Sequence, residues 1–279
     1  MSGPELVRFV ALGDSFTEGM CDEPDPTGRY LGWADRVAAA LARCEPTFTY
    51  ANLAVRGKLL DQTTVEQLPV ALDLLDDPGR TLVSFHAGPN DVLRPRTDFA
   101  GLLARYDRAV HLLRRRGARV LLFTAIPRAG GQGRTSDRLA ARFERFNDGV
   151  RTTAARHGTH LQDNGVVDAF HDRRLWAQDR LHLAAEGHRR VAAGVLEQLG
   201  VADPTLLGGP PGWWREALPP QPPLPPRHAL TEDVRWLTGH LAPWVGRRLR
   251  GISSGDGVTP KRPTPTPVDL APGGDAGVA

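Results

Sequence analysis

Four short segments carry the groups that acyl transfer at a serine would need. They are Gly13–Gly19 (GDSFTEG), Asn52–Gly57 (NLAVRG), Gly88–Asp91 (GPND) and Asp179–His182 (DRLH). A serine hydroxyl such as that of Ser15 is a weak nucleophile at neutral pH and needs a general base. His182 could be that base, because Asp179 could accept its Nδ1–H and leave Nε2 free for the Ser15 proton.

The other two segments could stabilise the negative charge that develops on an attacked carbonyl. The Asn90 amide can donate a hydrogen bond to such an oxyanion, and losing one such donor costs about 10²–10³ in rate. Gly57 has no side chain, so its backbone N–H can approach a bound ligand closely. Taken singly, each segment has a plain structural explanation as a turn, a strand end or a charged pair before a helix. Their combination favours chemistry.

Hydrophobic periodicity predicts five strands and five main helices in alternation. The predicted strands are Leu6–Leu12, Thr47–Val55, Arg80–His86, Ala118–Ile126 and Thr159–Gln162. The predicted helices are Gly32–Cys44, Lys58–Leu75 with a break near Pro69, Phe99–Arg116, Thr135–His157 capped by Ser136 or Asp137, and Ala184–Leu199. Such alternation predicts an α/β fold with a parallel sheet covered by helices on both faces. Ligands of these sheets bind beyond the carboxyl ends of the strands, where the four segments fall.

At these residues the sequence resembles the SGNH hydrolases, the GDSL esterase/lipase family, from about Val7 to Leu199. The resemblance implies a three-layer α/β/α sandwich with a flavodoxin-like, five-stranded parallel sheet. It implies an acyl-enzyme on Ser15, with Asp179 and His182 as acid and base. It also implies an oxyanion hole made of the Ser15 N–H, the Gly57 N–H and the Asn90 side chain, and no metal or cofactor. One departure is Pro89, where the family often has glycine, and proline stiffens the loop before Asn90.

The composition changes beyond the alternating series, which predicts three regions. Residues 1–200 form the hydrolase domain. Residues 201–250 form a Pro-rich extension, with Trp213 and Trp214 anchored on the domain and a last helix over Leu230–Arg250. Residues 251–279 are rich in Gly, Pro and Thr and are predicted to be disordered.

Charge and cysteine content restrict the partners and the compartment. The formal net charge of the 279 residues is +3, which demands no nucleic-acid partner. No segment has the length and apolarity of a membrane span, so we expect no stable membrane insertion. Cys21 and Cys44 are the two cysteines, and we expect free thiols in a cytoplasmic protein whose partner is a small-molecule ester.

Two alternatives stay open at this stage. A thioesterase or acyltransferase of the same fold would use the same residues on another acyl donor or acceptor. A non-catalytic interaction module would instead use the Pro-rich segment and the last helix as its partner surface.

Overall fold

The structure is a computed structural model that describes residues 5–127, 133–221, 235–241, 243, 246, 250 and 253–270. Six strands form one sheet: β1 (Arg8–Gly13), β2 (Thr49–Asn52), β3 (Thr81–His86), β4 (Arg119–Phe123), β5 (His160–Gln162) and β6 (Arg262–Pro267). Their order is β5-β4-β3-β1-β2-β6. The first five strands are parallel, and β6 runs antiparallel to β2 at the edge.

The helices lie in the connections between strands, as the predicted alternation requires. In chain order they are α1 (Ser15–Glu18), α2 (Trp33–Cys44), α3 (Leu60–Gln62), α4 (Leu68–Asp73), α5 (Pro89–Val92), α6 (Phe99–Arg115), α7 (Arg134–His157), α8 (Ala185–Gln198) and α9 (Pro204–Leu207). A π-helical turn, Thr63–Gln67, joins α3 to α4. Pro69 is in the first turn of α4, so the predicted break in this helix is confirmed.

Two hydrophobic clusters, one on each face of the sheet, confirm the three-layer α/β/α architecture. On β1 the side chains alternate, with Phe9 and Ala11 in one cluster and Val10 and Leu12 in the other, all fully buried. The first cluster also contains the buried faces of α2 and α8, and the second contains those of α6 and α7. Strands β1 to β4 therefore bury both faces, which explains their nearly continuous apolar runs in the sequence.

The sixth strand corrects the prediction of disorder for residues 253–270, while the rest of the predicted tail, 251–252 and 271–279, lies outside the described residues. Residues 253–270 are described, and β6 pairs Thr49 with Pro267 and Tyr50 with Thr266. Proline cannot donate to a ladder, so it is tolerated on an edge strand where its nitrogen faces outward. In RPTPTP every second residue is proline, so only the residues between the prolines have an N–H that can donate to β2. Composition alone therefore concealed a strand.

Two further expectations differ from the structure or fall outside it. The predicted cap of α7 by Ser136 or Asp137 is wrong, because the helix begins at Arg134 after Gly133 and has no side-chain cap. The helix expected over 230–250 lies largely outside the described residues, although 235–241 is helical. In the extension before it, Trp214 is buried, and its Nε1 donates to Glu197 Oε2 of α8 at 3.1 Å.

The strand order places the site-bearing turns together. The chain passes from β1 outward to β2 and returns to the other side of β1 as β3. In a doubly wound sheet this reversal opens a crevice at the carboxyl ends of the two neighbouring strands. Ser15 follows β1 and Asn90 follows β3, so both lie at this crevice.

Candidate active site

The turn after β1 presents Ser15 as the first residue of α1. Asp14 is the N-cap, and its Oδ1 accepts a hydrogen bond from Phe16 N at 3.1 Å. Gly13 has φ +152°, and a Cβ there would lie 2.6 Å from His86 O, so the strand end requires glycine. The Gln67 side chain binds both backbone groups of Gly13, donating at 2.9 Å and accepting at 2.8 Å. These contacts fix the strand end from which Ser15 projects.

Asp14 also joins the first candidate segment to the third. Its Oδ2 accepts from Asn90 Nδ2 at 3.1 Å, and the same nitrogen donates to Lys58 O at 3.0 Å. Both amide hydrogens of Asn90 are therefore engaged within the protein. Pro89 occupies the first position of α5, where a helix needs no N–H and proline fits without strain. The departure at Pro89 thus leaves the Asn90 side chain in place beside the serine turn.

A buried ion pair joins the first segment to the second. Arg56 binds Glu18 through its guanidinium, and its backbone N–H donates to Glu18 Oε2 at 2.6 Å. The Glu18 carboxylate is 9% exposed, so its charge must be balanced within the protein. Gly57 follows directly with φ +73°, a conformation that favours glycine. Glu18 and Arg56 lie in the recognised segments, but sequence reasoning had assigned them no role.

Asp179 and His182 lie in direct contact, as their spacing predicts for a candidate acid and base. His182 Nδ1 lies 2.6 Å from Asp179 Oδ2. Asp179 Oδ1 accepts from the backbone N–H groups of Leu181 and His182, each at 3.0 Å. Arg180 adopts φ +58°, which curls the loop so that one carboxylate meets both amides and the imidazole. With Nδ1–H committed to Asp179, Nε2 is the nitrogen left to accept a proton.

The pair shifts both pKa values in opposite directions. Burial lowers the pKa of His182, but the hydrogen bond with Asp179, the contact with Cys21 and the Asp179 charge outweigh it and raise that pKa to about 9. Burial raises the pKa of Asp179, yet its bonds to His182 and to the loop amides hold it well below its usual range. The arrangement therefore stabilises the imidazolium that forms when a base takes up a proton.

The loop of the acid–base pair packs against the segment that follows Ser15. Cys21 Sγ lies 3.8 Å from Asp179 Oδ2, and Cys21 has φ +67°, which is unusual for a residue other than glycine. Among the described residues, Ser15 Oγ makes no hydrogen bond to His182. Nucleophile–base bonds are often long before substrate binds. The structure thus brings the two loops together without closing the serine–histidine contact.

Residues far along the chain also reach the site, and sequence reasoning missed them. Trp236 Nε1 donates to Asp179 O at 2.8 Å, and the Arg180 guanidinium lies 4.8 Å from the centre of the Trp236 ring. Ser253 lies against Gly57. No local pattern announces such contacts, because they join residues separated by more than fifty positions.

Within the described chain, one group of side chains has the types and proximity to hold a metal ion. Its donor atoms, from Cys21, Asp179 and His182, lie within 4.8 Å of one another. Two of the three are the candidate acid and base, so a metal ion there would compete with the proton transfer predicted for them. The expectation that the protein uses no metal stays a prediction.

Comparisons with known proteins identify a family and two solved structures that this chain resembles. A profile of the GDSL-like Lipase/Acylhydrolase family matches residues 11–190. An acetylxylan esterase from Geobacillus stearothermophilus is 18% identical with a TM-score of 0.57, over 72% of this chain and 97% of that one. A psychrotrophic esterase from Pseudoalteromonas sp. is 15% identical with a TM-score of 0.52, over 70% of this chain and 97% of that one. No curated protein matches the sequence.

With this α/β/α fold and this family match, the chain is a serine-type carboxylic-ester hydrolase. The chain belongs to the GDSL-like lipase/acylhydrolase family. Among the described residues, no helix has both the length and the apolarity to cross a membrane.

Proposed function

We propose that Ser15 is the nucleophile of a two-step acyl transfer from a small carboxylic ester to water. The observation that carries the proposal is the 2.6 Å contact between His182 Nδ1 and Asp179 Oδ2. It fixes the tautomer in which Nε2 can accept the Ser15 proton. The loop that holds this pair lies against the segment after Ser15, through Cys21.

In the first step Ser15 Oγ attacks the ester carbonyl carbon while its proton passes to His182 Nε2. The tetrahedral intermediate collapses, the carbon–oxygen bond to the alcohol breaks, and His182 returns the proton to the leaving oxygen. In the second step water attacks the acyl-enzyme, its proton passes to His182, and Ser15 leaves with that proton. No other reactant is needed.

The oxyanion hole consists of the Ser15 N–H, the Gly57 N–H and the Asn90 amide. Both Asn90 hydrogens are engaged, one of them with the neutral carbonyl of Lys58. An oxyanion is a stronger acceptor than a neutral carbonyl, because hydrogen bonds to ionised groups are shorter and stronger. We infer that the developing charge takes over this hydrogen, while Asp14 keeps the other and holds the amide in place.

Replacing the nucleophile tests the assignment. Ser15→Ala is expected to fold as the parent does and to lose hydrolysis of p-nitrophenyl acetate. Ser84→Ala is the matched control, because the buried Ser84 hydroxyl has no hydrogen-bond partner among the described residues and its loss removes no hydrogen bond to them. Activity of Ser15→Ala at the parent level would rule out this nucleophile.

A panel of substrates can identify the class of ester that the protein hydrolyses. Acetylated xylo-oligosaccharides belong in it because an acetylxylan esterase shares the fold. A competing alcohol in the same reactions separates hydrolysis from acyl transfer, and matched thioesters test the thioesterase alternative. Cytoplasmic location stays a prediction from the sequence.

A further inference from the structure

The segment 253–270, here called the C-terminal strap, lies outside the family match at 11–190 and yet borders the site. At one end β6 extends the central sheet beside β2. At the other end, residues 253–255 lie against Arg56 and Gly57, in the loop after β2. The strap therefore runs beside the loop that carries one of the proposed oxyanion donors.

The contact at Gly57 is close on both sides. A Cβ on Gly57 would lie 2.4 Å from Ser253 Oγ and 3.2 Å from Ser254 Oγ. A Cβ on Gly255 would lie 2.0 Å from Arg56 O. Two glycines thus allow the strap and the loop to approach closely, with Gly57 against the Ser253 hydroxyl and Gly255 against the Arg56 backbone.

The turn at the strap's start is shaped by its own hydrogen bonds. Ser253 N donates to Asp256 Oδ2 at 2.8 Å, and Gly255 N donates to Ser253 Oγ at 3.2 Å. The Ser253 hydroxyl is thereby held towards Gly57, whereas Ser254 is exposed. The exposed residue is the position from which a larger side chain could extend over the rim of the site.

Lys261 holds the strap to the domain. Its ammonium nitrogen lies within hydrogen-bonding distance of four acceptors: Glu18 O at 2.6 Å, Tyr30 O at 2.9 Å, Leu31 O at 2.5 Å and Asp35 Oδ2 at 2.5 Å. The Lys261 side chain is only 11% exposed. Glu18 also binds Arg56, which precedes Gly57. The same residue therefore contacts both Lys261 of the strap and the loop that carries Gly57.

The geometry points to the C-terminal strap as the wall that limits the size of the acyl group, with Ser254 at its rim and Lys261 as its anchor. This inference rests on the proposed function. His182 must protonate the leaving alcohol, so the alcohol lies on the side of His182. The carbonyl oxygen points to the oxyanion donors, including Gly57 N–H. The acyl substituent is then left on the side away from His182, beside the loop that the strap covers.

Two variants should change acyl selectivity in opposite directions. Lys261→Met removes the anchor and should widen the pocket. Ser254→Leu adds bulk at an exposed position, which the fold tolerates, and should narrow it. The measurement is the ratio of kcat/KM for p-nitrophenyl octanoate to that for p-nitrophenyl acetate. We expect a change of about tenfold or more, up in the first variant and down in the second, since one methylene in a pocket decides roughly 10–200-fold.

Thr264→Met is the matched control, because Thr264 is an exposed residue of β6. Melting temperatures show whether each variant folds. If Lys261→Met does not fold, Ser254→Leu alone still tests the inference. A second series varies the alcohol of acetyl esters. An unchanged octanoate-to-acetate ratio in a folded variant, or a change confined to the alcohol series, overturns the inference. The proposed function is tested separately, by the loss of acetate hydrolysis in Ser15→Ala.

Discussion

Replacing Asp179 by asparagine should disable the base while leaving its loop folded. Asp179 Oδ1 accepts two backbone hydrogen bonds, from Leu181 and His182, at 3.0 Å each. In the variant these amides still require an acceptor, so the carboxamide oxygen must take this position. The NH₂ group is then forced towards His182 Nδ1, 2.6 Å from the original Oδ2. Nδ1 becomes the acceptor, the ring proton moves to Nε2, and Nε2 can no longer accept from Ser15.

The size of the effect follows from the loss of the correct tautomer. In serine proteases with this arrangement the same change lowers kcat by about 10⁴. At 1.36 kcal/mol per tenfold, this corresponds to about 5.5 kcal/mol of transition-state stabilisation. The pH profile should change as well, because the Asp179 carboxylate raises the pKa of His182 to about 9. In the parent, kcat/KM should therefore rise with pH and reach half of its maximum near pH 9, as the base loses its proton.

The assay is kcat/KM for p-nitrophenyl acetate from pH 5 to 10, corrected for spontaneous hydrolysis. In Asp179→Asn the residual activity should reach its plateau at lower pH than in the parent. Asp203→Asn is the matched control, because Asp203 caps α9 through a bond from Thr205 N and asparagine caps equally well. A fall in kcat/KM of less than tenfold would show that the tautomer is not lost in Asp179→Asn. So would a pH profile whose rising part stays at the same pH as in the parent.

Three further outcomes follow from contacts in and near the site. Asn90→Ala should lower kcat by about 10²–10³ with little change in KM, as measured by steady-state kinetics. A change in KM alone would contradict the role of the Asn90 amide as an oxyanion donor. Methanethiosulfonate should inactivate the parent and Cys44→Ser but not Cys21→Ser, because only the Cys21 thiol adjoins the acid–base pair; equal sensitivity of all three proteins would contradict this. Burial lowers the pKa of His188 to about 4, so the free energy of unfolding should fall by up to about 3 kcal/mol as pH drops from 6.5 to 4. Denaturant titrations should show a smaller fall in His188→Gln, and an equal fall would exclude this histidine as the cause.

The sequence was sufficient to predict the parallel sheet and the pair Asp179–His182. Buried parallel strands leave continuous apolar runs, and the turn residues after them mark the edge where a site forms. The pair was predictable because only two residues lie between the acid and the base, so the loop itself sets their geometry. Local sequence spacing was therefore sufficient to predict the sheet and the Asp179–His182 contact.

The strap and Cys21 were not predictable by the same reasoning. Lys261 meets partners more than two hundred residues earlier in the chain, and no periodic pattern links them. The composition around β6 indicates disorder, because proline and threonine bury little apolar surface. What orders this segment is an edge partner, β2, together with a buried ammonium site formed by backbone carbonyls and Asp35. Such features depend on the completed fold.

The reaction of Ser15 with a fluorophosphonate shows whether Ser15 is the activated nucleophile. The probe phosphonylates only a serine activated by a base, and peptide mass spectrometry locates the adduct. We expect one adduct in the parent, on Ser15. It should form much more slowly in Asp179→Asn and should be absent from Ser15→Ala. An adduct on another serine, or equal labelling of the parent and Asp179→Asn, would contradict it.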